Sequence, residues 1–220
     1  MKTVIISCRT IEDEVNAAIR LTGVDYPVLW LESGLHNQPP ILLARLQELL
    51  DGLDCERVLL AMGFCGNAMA GVRSGSAELI LPRVDDCISL LLGSVKRRLA
   101  VSGEYAAYFF TEGWLRGEQN IWVEHQHMLE TYGEELTAEL EKSMFGHYRT
   151  LGLLDCGEKP VEPLVENTRM IAEALHLQQQ VIPASVDYLT ELLTGPWPDE
   201  RFITLAPGGE LTAADLTFPQ

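Results

Sequence analysis

Four residues able to bind a transition metal are spread through the first half of the chain. They are Cys8, His36, Cys65 and Cys87, each 22 to 29 residues from the next. Three thiolates and one imidazole match the tetrahedral ligand set of zinc, whereas magnesium and calcium require carboxylate and carbonyl oxygens. Iron and iron–sulfur clusters also use thiolate ligands. The residue types therefore favour zinc over hard cations and leave iron or an iron–sulfur cluster as alternatives.

The position of these residues favours a site over four unrelated side chains. Cys8, His36 and Cys65 follow the first, second and third predicted strands, and Cys87 lies just beyond the fourth. The carboxyl ends of parallel strands share one edge, where ligands of open α/β sheets bind and where helix N-termini favour thiolates. The alternative is that the cysteines are inert core residues, because the chain has no CxxC pair and free cysteine behaves as a small hydrophobic residue.

Six residues near these ligands are predicted to contact a bound cofactor or to orient the ligands. Arg83 and Asp86 crowd the approach to Cys87, although an Asp that caps a helix beside a salt-bridged Arg is the alternative explanation. Glu112 lies at the end of the fifth predicted strand, where it is a candidate base or extra metal ligand. The alternative is that it is an exposed loop acid. No residue is assigned a catalytic role. The full set is Arg9, Asn37, Gly66, Arg83, Asp86 and Glu112.

The remaining cysteines and two histidines are predicted to lie outside the metal set. Cys55 precedes a strand and so lies at the opposite edge of the sheet. Cys156 follows a later strand, and we interpret it as structural, with a spare thiol near the site as the alternative. His125 and His127 are two residues apart on a predicted helix, which puts them on different faces. We predict that both face solvent.

The elements that must position these residues alternate along the chain. Strands are predicted at residues 3–7, 26–32, 57–63, 78–83, 106–111 and 150–155, with weaker ones at 179–184 and 201–207. Helices are predicted at residues 11–22, 40–52, 86–99 and 161–177, where apolar residues recur every three or four positions. Residues 114–148 predict two helices outside the sheet, as an excursion or lid. The pattern indicates one α/β domain over residues 1–220, with an open, mostly parallel sheet flanked by helices in Rossmann-like layering.

Charge and composition exclude several classes of partner. The 220 residues include 16 Lys and Arg against 32 Asp and Glu, a net charge of -16. This charge repels phosphate backbones and anionic lipid surfaces, so we expect neither a nucleic-acid nor a membrane partner. Charged residues follow too soon after the first apolar residues for a secretory signal peptide. No segment approaches the roughly 18 apolar residues of a membrane-spanning helix. We therefore expect a cytoplasmic protein whose five cysteines are reduced.

The stretches that carry the proposed ligands resemble a family known as domain of unknown function 1638 (DUF1638). The shared elements are the first-strand Cys8, "LHNQPP" with His36, "FCGN" with Cys65, "DDCISLLLGS" with Cys87, and "GEYAAYFFT". The match covers most of residues 3–150 and, more loosely, the rest. The resemblance implies an association with corrinoid-dependent methyl transfer, because methyltransferases and cobalamin-binding proteins often neighbour such members.

Three functions are compatible with these observations. In the first, a zinc-like ion activates a thiol or another nucleophile of a small-molecule substrate for one-carbon transfer linked to a corrinoid system. His36 is then the ligand that exchanges with the substrate. In the second, the chain is a non-catalytic metal- or cofactor-binding accessory protein that docks on a corrinoid protein or methyltransferase. The third is a metal-dependent hydrolase or lyase with Glu112 or Asp85 as the base. The oligomeric state is not indicated by the sequence.

Overall fold

Five strands form the main sheet of the computed structural model, which describes residues 2–218. They are β1 (Thr3–Cys8), β2 (Val28–Leu31), β3 (Arg57–Ala61), β4 (Glu78–Pro82) and β8 (Phe202–Leu205). The spatial order is β2-β1-β3-β4-β8, and only β8 runs antiparallel to its neighbour. The predicted α/β fold with a mostly parallel sheet is therefore confirmed.

The remaining strands form a separate parallel sheet. It contains β5 (Ala107–Phe110), β6 (Thr150–Asp155) and β7 (Gln178–Pro183) in the order β5-β6-β7. Each sheet has its own apolar core, and that of the small sheet includes Phe110, Leu151 and Ile171. The sequence pattern identifies these strands but does not indicate which of them pair, so the division into two sheets appears only in the structure.

Helices cover the strands as expected for parallel sheets. Strand β1 is buried at every residue because it lies between β2 and β3 beneath a helical layer. The covering helices include α1 (Glu12–Thr22), α2 (Pro39–Asp51), α7 (Glu162–Ala174) and α8 (Asp187–Thr194). Helix α8 contacts α1, β3 and β4. Pro39 and Pro40 open α2, where the missing amide hydrogen of proline costs no helical hydrogen bond.

The predicted helix at residues 86–99 consists of two helices. Helix α3 (Cys87–Leu92) ends at Gly93, whose φ of 84° lies in the left-handed region. Helix α4 (Val95–Tyr105) then begins at Ser94, whose side chain accepts a hydrogen bond from the Arg97 amide at 3.1 Å. The apolar periodicity continues through this break and therefore conceals it.

Two further helices form the predicted excursion between β5 and β6. Helix α5 (Glu112–Leu115) is short, and α6 (Ile121–Met144) has 24 residues. Gly133 interrupts α6 with φ 75° and ψ 173°, a conformation that glycine alone adopts readily. Among residues 2–218, no helix combines the length and apolar character needed to cross a bilayer.

Candidate functional site

The four predicted metal ligands line one cavity at the carboxyl edge of the main sheet. Cys8 is the last residue of β1, His36 lies in a short 3-10 helix after β2, Cys65 follows β3, and Cys87 is the first residue of α3. The cavity has a volume of about 250 Å³, and we call it the thiol cavity. The parallel topology therefore brings together four side chains that are far apart in the sequence.

Two hydroxyl groups hold the Cys8 side chain in place. The Cys8 Sγ atom lies 3.0 Å from Thr10 Oγ1, which in turn lies 3.0 Å from Ser33 Oγ. Burial, followed by the nearby Cys87 thiol, raises the pKa of Cys8 to about 11. The Cys8 side chain is therefore a thiol at neutral pH when no cation is present.

A tight turn after β3 brings Cys65 next to Cys87. The Cys65 amide donates to the Asp85 carbonyl at 2.8 Å, and Cys65 itself has a φ of 47°. Gly63 is required by this packing, because a Cβ atom there would lie 2.6 Å from the Cα atom of Asp86. Contact with the Cys65 side chain, together with burial, raises the pKa of Cys87 well above its ordinary value. The two interacting thiols thus both line the thiol cavity.

His36 also lines the cavity, as a neutral ring. Its imidazole is tilted against the Trp114 indole, with ring centroids 5.6 Å apart. Burial lowers the pKa of His36, so the ring is uncharged at neutral pH and keeps a lone pair for a metal or a hydrogen bond. Trp114, Leu42 and Met62 supply the apolar part of the cavity wall.

An aspartate cap and an arginine fix the start of α3 and hence the position of Cys87. Asp86 Oδ1 accepts a hydrogen bond from the Ser89 amide at 2.7 Å, and burial raises the pKa of Asp86. Arg98 Nη2 lies 2.6 Å from Asp85 Oδ2. The arginine that pairs with these acids is Arg98, whereas the predicted Arg83 donates to carbonyl oxygens in the C-terminal segment, including that of Asp199.

The six predicted neighbours divide between the thiol cavity and other surfaces. Gly66 and Asp86 line the thiol cavity, and Arg83, Arg9, Asn37 and Glu112 do not. Arg9 pairs with Glu12 at 2.9 Å, and Asn37 donates to Gln119 at 3.2 Å. Glu112 lines a different cavity.

The thiol cavity gathers potential ligands without arranging them as a formed metal centre. Within residues 2–218, no three side chains of His, Cys, Asp or Glu are grouped so that they hold a metal ion. The donor set matches that of a soft or borderline metal ion. Simultaneous binding therefore requires these side chains to turn towards a common point.

A second cavity, of about 50 Å³, lies near the same edge and was not foreseen. We call it the acidic cavity; its carboxylates are those of Asp13, Glu14, Glu112, Asp155 and Glu158. Cys156 also lines it, so this thiol lies with Glu14 instead of in the thiol cavity. Glu14 is 7% exposed, and its Oε2 atom has no hydrogen-bond partner in the described part of the chain. Ile11, Glu14 and Ala18 are three and four residues apart and so share one helix face. This spacing in the sequence indicates that Glu14 is buried with its apolar neighbours.

His125 differs from its prediction, whereas His127 is exposed as expected. His125 is buried, its Nδ1 atom is hydrogen-bonded to Glu141, and its ring stacks on Trp122. The prediction that His125 faces solvent was wrong because α6 folds back at Gly133 and covers this histidine with its second half.

Comparison with family models gives a match over most of the chain. The model of a family described as "Protein of unknown function (DUF1638)" matches residues 30–193, a range that contains His36, Cys65 and Cys87 and begins after Cys8. Neither the curated proteins nor the solved structures provide a match.

Proposed function

The chain belongs to the DUF1638 family of proteins of unknown function, and we propose that its thiol cavity binds a zinc-like ion for one-carbon transfer linked to a corrinoid system. The proposed ligands are Cys8, His36, Cys65 and Cys87. When bound, such an ion lowers the pKa of a thiol or another nucleophile and orients it for transfer.

The observation that carries this proposal is the convergence of four strand ends on one cavity. Three thiols and one imidazole, the donors typical of a zinc site, line a space of about 250 Å³. The Cys87 thiol is close enough to Cys8 to add to the rise in the Cys8 pKa that burial causes, in the absence of a cation. These thiols would have to lose their protons to bind a divalent cation, so we expect metal binding to release protons and to tighten as the pH rises.

The surrounding residues have distinct tasks in this proposal. Thr10 holds the Cys8 sulfur through its hydroxyl group, and the Asp86 cap fixes the first turn of α3 beneath Cys87. The neutral imidazole of His36 contributes no charge to the ligand set, which makes it the ligand that most readily gives way to a substrate. The indole of Trp114 packs against this imidazole, with ring centroids 5.6 Å apart.

Access to the cavity favours a catalytic role over the accessory role on a corrinoid partner. A sealed, purely structural site is expected to bury all its ligands, whereas Cys65 and His36 are partly exposed. The hydrolase or lyase alternative receives less support, because neither Glu112 nor Asp85 lines the thiol cavity.

Metal analysis of anaerobically purified protein tests the site. We expect close to one zinc ion per chain in the wild type and in Cys55→Ser, a control that removes a buried thiol preceding β3. Cys65→Ser and Cys87→Ser are expected to lose most of the metal while they retain the wild-type circular dichroism spectrum. A folded wild type that takes up no zinc after dialysis against zinc chloride contradicts the proposal.

Methyl transfer tests the proposed chemistry separately from metal binding. The zinc-loaded protein is incubated with methylcobalamin and 2-mercaptoethanol, and demethylation is followed by the cobalamin absorption spectrum. We expect a rate above that of free zinc, lost in Cys65→Ser. A zinc-loaded protein with no rate enhancement favours the accessory role instead.

A further inference from the structure

The two halves of α6 fold against each other as a helical hairpin. His125 on the first arm contacts Glu141 on the second, and these residues are equally distant from Gly133. Gly133, with φ 75° and ψ 173°, breaks the helix between the two arms, and the contact between His125 and Glu141 requires the second arm to fold back on the first. The hairpin therefore encloses space between its arms.

This space is a cavity of about 590 Å³, which we call the hairpin cavity. It lies between the facing sides of the two arms and the residues that lead into β6 and β7, at the amino edge of the small sheet. Among residues 2–218, none lines both this cavity and the thiol cavity. Its volume falls in the range of small-molecule binding sites in proteins.

Two buried polar groups face the hairpin cavity. Thr137 is 1% exposed, and its hydroxyl oxygen has no hydrogen-bond partner among residues 2–218. His125 is 8% exposed and has its Nδ1 atom fixed by Glu141. Buried hydroxyl groups in proteins are rarely left unpaired, so the Thr137 hydroxyl indicates a missing partner in the cavity.

The walls and the rim combine apolar surface with positive charge. Ile121, Leu129 and Phe145 form apolar wall on the two arms. Lys142 and Arg149 also line the cavity, although the whole chain has a net charge of -16. Of the two acids that line it, Glu141 is hydrogen-bonded to His125. Glu134 is then the remaining acid beside the two cationic side chains.

We propose that the hairpin cavity binds a small amphipathic anion, with a flat apolar body between the arms and an acidic group beside Lys142 and Arg149. The Thr137 hydroxyl and the His125 ring anchor the polar edge of this molecule. Such a ligand supplies the missing partner of Thr137, fills the apolar space and neutralises the cationic rim. The cavity is thus a binding site separate from the proposed metal chemistry.

The fluorescent probe 1-anilinonaphthalene-8-sulfonate has this chemistry, because it joins an aromatic body to a sulfonate. We expect the full-length folded protein to bind it saturably, with one molecule per chain. Ala138→Trp fills the cavity from the second arm and is expected to weaken binding at least tenfold. The matched control is Glu139→Trp, which places the same indole on the next, exposed residue outside the cavity and should bind the probe like the wild type.

A charge reversal tests the same site without filling it. Lys142→Glu is expected to weaken probe binding at least fivefold, whereas Lys96→Glu, an exposed residue on α4, leaves it unchanged. Circular dichroism confirms that each variant is folded. Non-saturable fluorescence, or equal affinity in Ala138→Trp and Glu139→Trp, overturns the proposal, because the probe is then bound elsewhere and water satisfies Thr137.

Discussion

Glu14 should make the protein less stable as the pH rises through neutrality. Burial raises the pKa of this carboxyl group from an ordinary value of 4.5 to about 7. A carboxyl group with a pKa raised by folding favours the folded state while it is protonated. Its contribution is therefore fully present below about pH 4.5 and is lost as the pH rises through about 7.

The size of this effect follows from the two pKa values. The difference between 4.5 and about 7 corresponds to about 3 kcal/mol of unfolding free energy. Between pH 5 and pH 8, about 2.5 kcal/mol of this is lost. The Glu14→Gln variant cannot ionise at this position and should escape the loss. Glu12→Gln removes a charge from the same turn, but Glu12 is partly exposed and pairs with Arg9.

Urea unfolding at several pH values between 5 and 8, followed by tryptophan fluorescence, measures this effect. We expect the unfolding free energy of Glu14→Gln, relative to the wild type, to increase by about 2.5 kcal/mol across this range. The curve for Glu12→Gln should run nearly parallel to that of the wild type. If the curve for Glu14→Gln is also parallel to that of the wild type, the carboxyl group is not buried as described and the predicted pH dependence is wrong.

Three other predictions concern the packing of Gly113, the ionisation of the Cys8 thiol and the backbone conformation of Gly133. Gly113→Ala should lower the unfolding free energy by about 1–3 kcal/mol, because its Cβ atom would overlap the Thr10 carbonyl oxygen. Gly103→Ala, in open space on a helix, should instead be neutral or stabilising by up to about 1 kcal/mol, and thermal melts compare the two. Alkylation of Cys8 in the metal-free protein should accelerate about tenfold for each pH unit between 8 and 10, as measured by peptide mass spectrometry, because the pKa of this thiol is about 11. A rate independent of pH would contradict this assignment. Gly133→Ala should cost about 1–3 kcal/mol, because alanine does not readily adopt φ 75°, and amide hydrogen exchange along α6 should show the loss.

The position of the proposed ligands at the carboxyl edge of the main sheet could be predicted, because it depends on the sheet topology alone. Cys8 and Cys65 end or follow parallel strands, and parallel strands end on the same side. Whether their sulfur atoms converge depends on side-chain rotamers and on turns such as the one at Cys65, which strand patterns do not encode. The sequence therefore predicts that the four proposed ligands meet at this edge, but not which other residues line the thiol cavity or how the ligands are arranged within it.

The wrong prediction for His125 and the unforeseen burial of Glu14 share a physical origin in long-range packing. His125 is buried by a second helical arm that returns after Gly133, and two-residue spacing on a helix carries no information about that return. Glu14 lies on the apolar face of α1, where its charge suggests solvent. In both cases the burial of a titratable group depends on contacts with segments more than ten residues away.

Helix α5 is a shared wall between two of the cavities. Glu112, at its start, lines the acidic cavity, and Trp114, one half-turn later, lines the thiol cavity. Gly113 lies between them against the backbone of Thr10, so a shift of the helix towards the segment after β1 must displace that segment as well. Occupancy of one cavity that displaces α5 must therefore alter the shape of the other, and thermodynamic reciprocity requires the two occupants to influence each other's affinity equally.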